Sequence, residues 1–231
     1  MGMSLQWSRF SDLSELVEFV NLAYRGDYSF FFSGNRTSRE ELTGGQYGQS
    51  EAFCLCLEDE WVGVFVLTIV KEWDSERGEE VTVGYINMLC VHPEHRNAGH
   101  GTRLVKKAED EARARSCVKL KACVMPLVPA VRYWWTGKQG YRLTGRVSAF
   151  PEELLPFVKE EFHPPPTFLK ETELQDAQKQ KQEGKQEEKE VQKHASLESG
   201  RRMLSVEKMP ETFVYFADIE RSLCIDRPMA V

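Results

Sequence analysis

The sequence holds no apolar run approaching the roughly 18 residues of a membrane span. Its N-terminus also lacks the basic-then-apolar order of a secretory signal. Met1-Gly2 opens a myristoylation-like pattern, but Gln6 stands where that motif requires Ser or Thr. These absences predict a soluble, cytoplasmic protein with no membrane partner. Positive charge is also in deficit: 30 Lys and Arg face 36 Asp and Glu, a formal net charge of -6. No nucleic-acid partner is expected, because phosphate backbones require a basic face. The six cysteines, Cys54, Cys56, Cys90, Cys117, Cys123 and Cys224, include no C-x-x-C pair of the structural-zinc kind. All but Cys224 lie in apolar, strand-like stretches, and they read as small buried thiols in a reducing compartment.

A chain of 231 residues suits one ordinary domain with additions. Leu13, Leu16, Val17, Val20, Ala23 and Tyr24 recur at helical spacing and predict an amphipathic helix over 11–24, capped by Ser11 or Asp12. A shorter helix over 37–43 has Thr37 or Ser38 as cap, Glu40 and Glu41 in its first turn, and Gly44-Gly45 as its stop. Two β-rich runs, 52–57 and 61–70, read as a hairpin turning at 58–60, and a charged loop over 71–80 leads to a third run, 81–91. From Gly99 a helix carries Leu104, Val105, Ala108 and Ala112 on one face and ends near Arg115. A strand over 117–124, a short aromatic helix over 128–138 and a strand over 141–147 follow. This order predicts an α/β domain on a mixed sheet.

Residues 171–193 are a tract of Gln, Glu and Lys with only Leu174, Ala177 and Val191 as apolar points. Such a segment does not bury enough surface to offset its ordering entropy. The β-like run 212–220 beyond it is expected to rejoin the sheet. The reading is therefore a single domain over 1–223, with 164–204 as a charged insertion, disordered or partly helical, and 224–231 as a tail. The insertion is the segment that would offer a surface to a protein partner.

Residues 87–109, NMLCVHPEHRNAGHGTRLVKKAE, run from a strand through a basic, glycine-punctuated turn into a helix. That arrangement gathers unsatisfied N–H groups and the positive helix end at one spot, an anion cradle suited to phosphate. Gly99 and Gly101 permit a tight turn and remove Cβ atoms from the path of a pyrophosphate, and Arg96 adds positive charge. A Walker loop would end in Gly-Lys-Ser/Thr, and this turn has Gly101-Thr102-Arg103. The dinucleotide fingerprint would place a third glycine at Leu104. What remains is R-x-x-G-x-G, written Arg96-Asn97-Ala98-Gly99-His100-Gly101, after Leu89-Cys90-Val91 and the His92-Pro93 break.

The arrangement L-x-V-x-P-x-x-R-x-x-G-x-G resembles the acetyl-coenzyme A signature of the GNAT superfamily of N-acetyltransferases. The first helix, the strand after the signature helix and "AVRYWWTGKQGYRLTG" occur in the order that the family shows. "NLAYRG", "TSREELTGG" and "GYRLTGRVSAFP" are similar to a group of small, mostly uncharacterised members. The resemblance spans about residues 5–152, with 211–223 as a closing strand. It implies a mostly antiparallel, twisted sheet flanked by helices, and transfer of an acyl group, in the first instance acetyl from acetyl-CoA, to the amine of a small molecule or peptide in a ternary complex.

By the same resemblance, amides of about Arg96 to Thr102 bind the pyrophosphate (Arg96, Asn97, Ala98, Gly99, His100, Gly101 and Thr102), and the main chain around Leu89, Cys90 and Val91 pairs with the pantetheine arm. The strand splays from the one at 117–124 to admit that arm. Family members carry a proton-donating Tyr four residues before the glycine of the Gly-aromatic pair, and Thr136 stands there; Tyr133, about one helical turn back, is the candidate donor. Tyr85 and Asn87 share a face of the signature strand where the family places its base, and hold a water or line the acceptor pocket. Glu72, Asp74, Glu79 and Glu80 flank these strands and read as a solvated loop or as carboxylates that attract a cationic amine. His92, His95 and His100 surround the turn, but a loop wrapped on phosphate points its amides inward, so no metal is expected. The departure at Thr136 keeps a second reading open, a non-catalytic acetyl-CoA-binding or protein-interaction module on the same scaffold.

Overall fold

The structure is a computed structural model that describes residues 5–9, 13–30, 33–43, 50–58, 60–74, 77–125, 127–149, 158–163, 202–203 and 215–223. One sheet has eight strands in the order β1-β2-β3-β4-β5-β8-β6-β7. They are β1 (Leu5–Arg9), β2 (Glu51–Leu57), β3 (Glu60–Asp74), β4 (Glu79–Val91), β5 (Lys119–Val124), β6 (Arg142–Ala149), β7 (Arg202–Met203) and β8 (Tyr215–Ser222). Every neighbouring pair is antiparallel except β4 with β5. The mixed, mostly antiparallel α/β sheet expected from the sequence is therefore present.

Alternation along β2 and β3 sorts side chains to two faces. Phe53, Leu55, Phe65 and Leu67 face α3 (His100–Ala114), whose Leu104, Val105, Ala108 and Ala112 are buried against them. Cys54, Cys56, Val64 and Val66 face α1 (Leu13–Tyr28), which buries Leu16, Phe19, Val20 and Ala23. Gly63 lets α3 approach closely, since a Cβ there would meet Leu104 Cδ1 at 2.8 Å and the Cys90 carbonyl at 3.2 Å. Helix α2 (Arg39–Thr43) begins after Ser38, whose Oγ accepts from the Glu41 N–H at 3.2 Å, so Ser38 is the cap. Helix α4 (Pro129–Tyr133) continues into a π-helical turn, Trp134–Lys138, packed with Trp135 on the α3 side.

Several boundaries differ from the sequence reading. Helix α1 runs one turn further, to Tyr28, and β1 has no counterpart in that reading. The charged loop expected over 71–80 is mostly strand, because its charges are paired across the sheet. Lys119 Nζ lies 3.1 Å from Asp74, Lys121 Nζ lies 2.5 Å from Glu72, and the Asp74 carboxylate accepts from the Arg77 N–H to close the turn. The last strand does rejoin the sheet, between β5 and β6. Most of the span 164–204, and all of 224–231, lies outside the described residues, although 202–203 form β7 against β6. Cys54, Cys56, Cys90 and Cys117 are buried free thiols and Cys123 is an exposed one. Among the described residues no helix is long and apolar enough to cross a membrane.

Candidate active site

The parallel ladder between β4 and β5 runs from Val83 opposite Lys119 to Ile86 opposite Ala122 and stops there. Both strands continue: β4 runs on to Val91, and β5 runs on to Val124 while pairing with β8. An opening therefore separates β4 from β5 beyond Ile86. A bulge in β4 marks its mouth, with Met88 at φ 50° where the register against β3 shifts. The His92 N–H donates to the Val62 carbonyl at 2.9 Å, so Cys90 opposite Val64 is likewise a bonded pair of the β3–β4 ladder and Val91 turns its polar groups toward the opening.

Two side chains reach the carbonyls at this edge. Tyr24 Oη donates to the Leu89 carbonyl at 3.2 Å, and Arg96 Nε to the Val91 carbonyl at 3.5 Å. Arg96 also donates from Nη2 to the Ala23 carbonyl of α1 at 2.6 Å. Its guanidinium, expected as charge for a phosphate, also fastens α1 to the end of β4. Cys90 also departs from the expected role beside the coenzyme arm. Its main chain pairs with β3, and its thiol is buried on the α1 side, where burial raises it far above the usual thiol range.

At the far end of the opening the chain makes a 3-10 turn, Pro93–His95, passes Asn97 at φ 61°, and enters α3 through Gly99 at φ 81°. Both left-handed positions suit their residues, since Asn tolerates and Gly favours that region. No side chain caps α3, so its first amides, from His100 onward, keep the exposed positive end described from sequence. The two glycines serve different ends. A Cβ at Gly99 would meet nothing within 4 Å, so the need there is conformational, whereas a Cβ at Gly101 would stand 3.1 Å from Trp134 Cζ2. Gly101 thus admits an indole, a packing role that the sequence reading did not assign to it.

Gln139 braces the same turn: its Nε2 donates to Thr102 Oγ1 at 3.0 Å, and its carbonyl accepts from Arg221 of β8 at 2.7 Å. Arg221 also donates to buried Glu109 of α3 at 3.0 Å. Nothing in the sequence pattern marked Gln139 or Arg221, because their partners lie 37 and 82 residues away.

On the α1 face of the mouth, Tyr85 and Asn87 stand together as expected. Tyr85 donates to Glu72 Oε1, Lys121 donates to Glu72 Oε2 at 2.5 Å, and Lys121 Nζ lies 5.5 Å from the Tyr85 ring centre. Asn87 Nδ2 donates to Thr68 Oγ1 at 3.1 Å and to the Tyr85 carbonyl at 3.4 Å. Glu72 is thus part of this cluster, whereas Glu80 pairs with Lys71 at the exposed end of the hairpin. Asp74 is buried and pairs with Lys119.

Tyr133 does not join them. It is 66% exposed and its ring lies against Gly137 of the following turn, where a Cβ would come within 2.9 Å. Thr136 donates its hydroxyl to the Arg132 carbonyl at 3.0 Å. A phenol that does reach the edge of β4 is Tyr24, which the sequence pattern assigned only to an apolar helix face. The rings of His92, His95 and His100 are 5.6 and 6.4 Å apart in succession. Among the described residues no group of three or more His, Cys, Asp and Glu converges to hold a metal ion. Burial and the nearby charges of Arg103 and His95 hold His100 below the usual imidazole range.

Residues 17–141 match the family model described as the acetyltransferase (GNAT) family. No curated protein sequence matches the chain. Among solved structures, the ribosomal-protein-S18-alanine N-acetyltransferase of Escherichia coli superposes with a TM-score of 0.53 at 10% identity, covering 99% of each chain. An acetyltransferase of Bacillus subtilis, in complex with CoA, superposes with a TM-score of 0.51 at 12% identity over 96% of this chain and 100% of its own. At such identities the likeness is one of fold. The matched segment covers more than half of the chain and contains the parted strands, the glycine turn and the head of α3, and the chain belongs to the GNAT family of acetyltransferases.

Proposed function

We propose that this chain transfers an acetyl group from acetyl-CoA to a primary amine of a small molecule or peptide, by direct attack in a ternary complex. The observation that carries the reading is the opening between β4 and β5 with the uncapped head of α3 at its end. An extended arm fits where one strand has lost its neighbour and keeps outward-facing polar groups, and a pyrophosphate fits where amides and a helix end are unsatisfied. The open space around Gly99 supports that fit.

Acetyl-CoA supplies an activated thioester carbonyl. The amine nitrogen forms the new bond to the carbonyl carbon, the C–S bond breaks, and its electron pair leaves with sulfur, which then takes a proton. The chain's own contribution begins with the amine, which must be neutral to attack. Tyr85 and Asn87 line its approach and hold its N–H groups or a water that carries the proton away. Tyr24 Oη stands at the Leu89 carbonyl, on the edge of the opening. Solvent protonates the departing thiolate, a weak base that needs no strong acid. Buried free thiols at Cys54, Cys56, Cys90 and Cys117 support a reducing, cytoplasmic setting.

The test is thiol release from acetyl-CoA across a panel of amines. Amine-dependent release with equimolar acetylated product supports transfer. The engaged hydroxyl of Thr136 and the exposure of Tyr133 favour the second reading, a non-catalytic binder. Saturable acetyl-CoA binding with no release across the panel would establish that one instead.

A further inference from the structure

Thr68 is the one polar residue of the run from Val62 to Val70 on β3, it is 8% exposed, and neither core packing nor the phosphate turn requires a hydroxyl there. It nevertheless sits in a chain of polar contacts leading to the mouth of the opening. Ser50 Oγ lies 2.7 Å from Thr68 Oγ1, and Asn87 Nδ2 donates to the same oxygen at 3.1 Å. Asn87 is the first residue of β4 past the last rung shared with β5, and lies opposite Val66 on the face turned to α1.

A carboxamide has a donor end and an acceptor end, and these contacts decide which way it points. The Tyr85 carbonyl only accepts, and Asn87 Nδ2 lies 3.4 Å from it. Nitrogen, not oxygen, therefore faces Thr68 and Tyr85. Both contacts engage the NH2 group, and among the described residues no hydrogen bond reaches Oδ1. Tyr85 is set in the same sense, since its hydroxyl proton goes to Glu72, which Lys121 holds from the other side. Both neighbouring groups on β4 thus have their donors committed behind them, and Asn87 presents the lone pairs of Oδ1.

We propose that Thr68 is a positioning residue: its hydroxyl, backed by Ser50, fixes the Asn87 carboxamide so that Oδ1 receives an N–H of the acceptor. The inference rests on the amine-transfer reading above. It deepens that reading by assigning to a residue outside the opening the orientation of one that lines it. Without the hydroxyl, Asn87 keeps only the long 3.4 Å contact to the Tyr85 carbonyl, and its carboxamide is free to turn.

The test compares Thr68→Val, which keeps the shape and removes the hydroxyl, with Thr68→Ser, which restores it. The probes are acetyl-CoA with spermidine, a tetrapeptide with a free N-terminus and Nα-acetyl-lysine amide, using whichever wild type turns over fastest. The expected result is a KM for the amine raised about tenfold in the valine variant, the loss of about one hydrogen bond, with kcat and the KM for acetyl-CoA within twofold and near wild-type values in the serine variant. An unchanged amine KM in a folded valine variant overturns the proposal, as does an equal loss in both variants. A second readout needs no turnover: the side-chain amide of Asn87 in 15N-labelled protein should exchange slowly with solvent and show cross-relaxation to the Thr68 side chain. That protection should vanish in the valine variant and return in the serine variant, and equal protection in all three overturns the proposal. If wild type acetylates none of the amines, the transfer reading fails, and the amide readout still decides the orienting role of Thr68.

Discussion

Replacing Gly99 by Glu separates the two things that the turn is held to do. The residue sits at φ 81° with nothing within 4 Å of an added Cβ, so the substitution meets no wall. A side chain in the left-handed region costs about 1–2 kcal/mol, and the smaller entropy of the unfolded chain returns about 0.4–1 kcal/mol. A carboxylate at the head of α3 gains a further ~0.3–1 kcal/mol from the helix dipole. The net change in stability is thus no more than about 1 kcal/mol, or roughly 2–4 °C in Tm for a domain of this size. For a bound pyrophosphate the same carboxylate is a like charge. At about 5 Å and an effective dielectric of about 20–40 it costs roughly 1.5–3 kcal/mol per phosphate charge, a 10- to 100-fold loss of affinity. Gly99→Ala is the control, with the same backbone strain and no charge, and its Kd should stay within about threefold of wild type. Calorimetric titration with acetyl-CoA beside thermal melts reads both quantities. A Gly99→Glu protein that melts near wild type and binds acetyl-CoA equally well would refute an anion seat at this helix end.

Three further outcomes follow from the same geometry. Arg96→Met should lose about 1–2 kcal/mol of stability through the missing bond to the Ala23 carbonyl, seen as a lower Tm, and a variant with unchanged Tm and much weaker coenzyme binding would return Arg96 to the phosphate. Gly101→Ala should displace Trp134, since the new Cβ would lie 3.1 Å from Cζ2, and tryptophan fluorescence should shift; an unaltered spectrum would contradict the packing. His100 is held below its ordinary pKa of 6.5, so under acid the unfolded chain takes up the proton first, and stability that is present above pH 6.5 falls as pH drops through that region. His100→Gln should flatten that part of the Tm profile between pH 7.5 and 5.5, and an equally steep profile would place the titration elsewhere.

What the sequence revealed was whatever depends on neighbours along the chain. Helix α3 was legible because Leu104, Val105, Ala108 and Ala112 repeat at its period, and the glycine turn because its residues are contiguous. Tyr85 and Asn87 were legible as a pair by the two-residue period of a strand. The strand character of 71–74 was not, because Glu72 and Asp74 are satisfied by Lys121 and Lys119 on a strand some 45 residues later, and local polarity alone reads as loop. The structural tie of Arg96 was hidden for a similar reason: a cation beside a phosphate turn suggests phosphate, and the carbonyl that it also fastens belongs to Ala23, 73 residues away. Thr68 left one local trace, a hydroxyl amid Val, Phe, Leu and Ile, and only the register with β4 gives that trace a meaning.

The most direct measurement is a calorimetric titration of the wild-type protein with acetyl-CoA, with desulfo-CoA and ATP in parallel. An arm in the opening between β4 and β5 and a pyrophosphate at the head of α3 predict saturable, one-to-one binding of both CoA compounds and none of comparable strength for ATP. A folded sample that binds neither CoA compound, or binds ATP equally well, would contradict the assignment of the opening to the coenzyme.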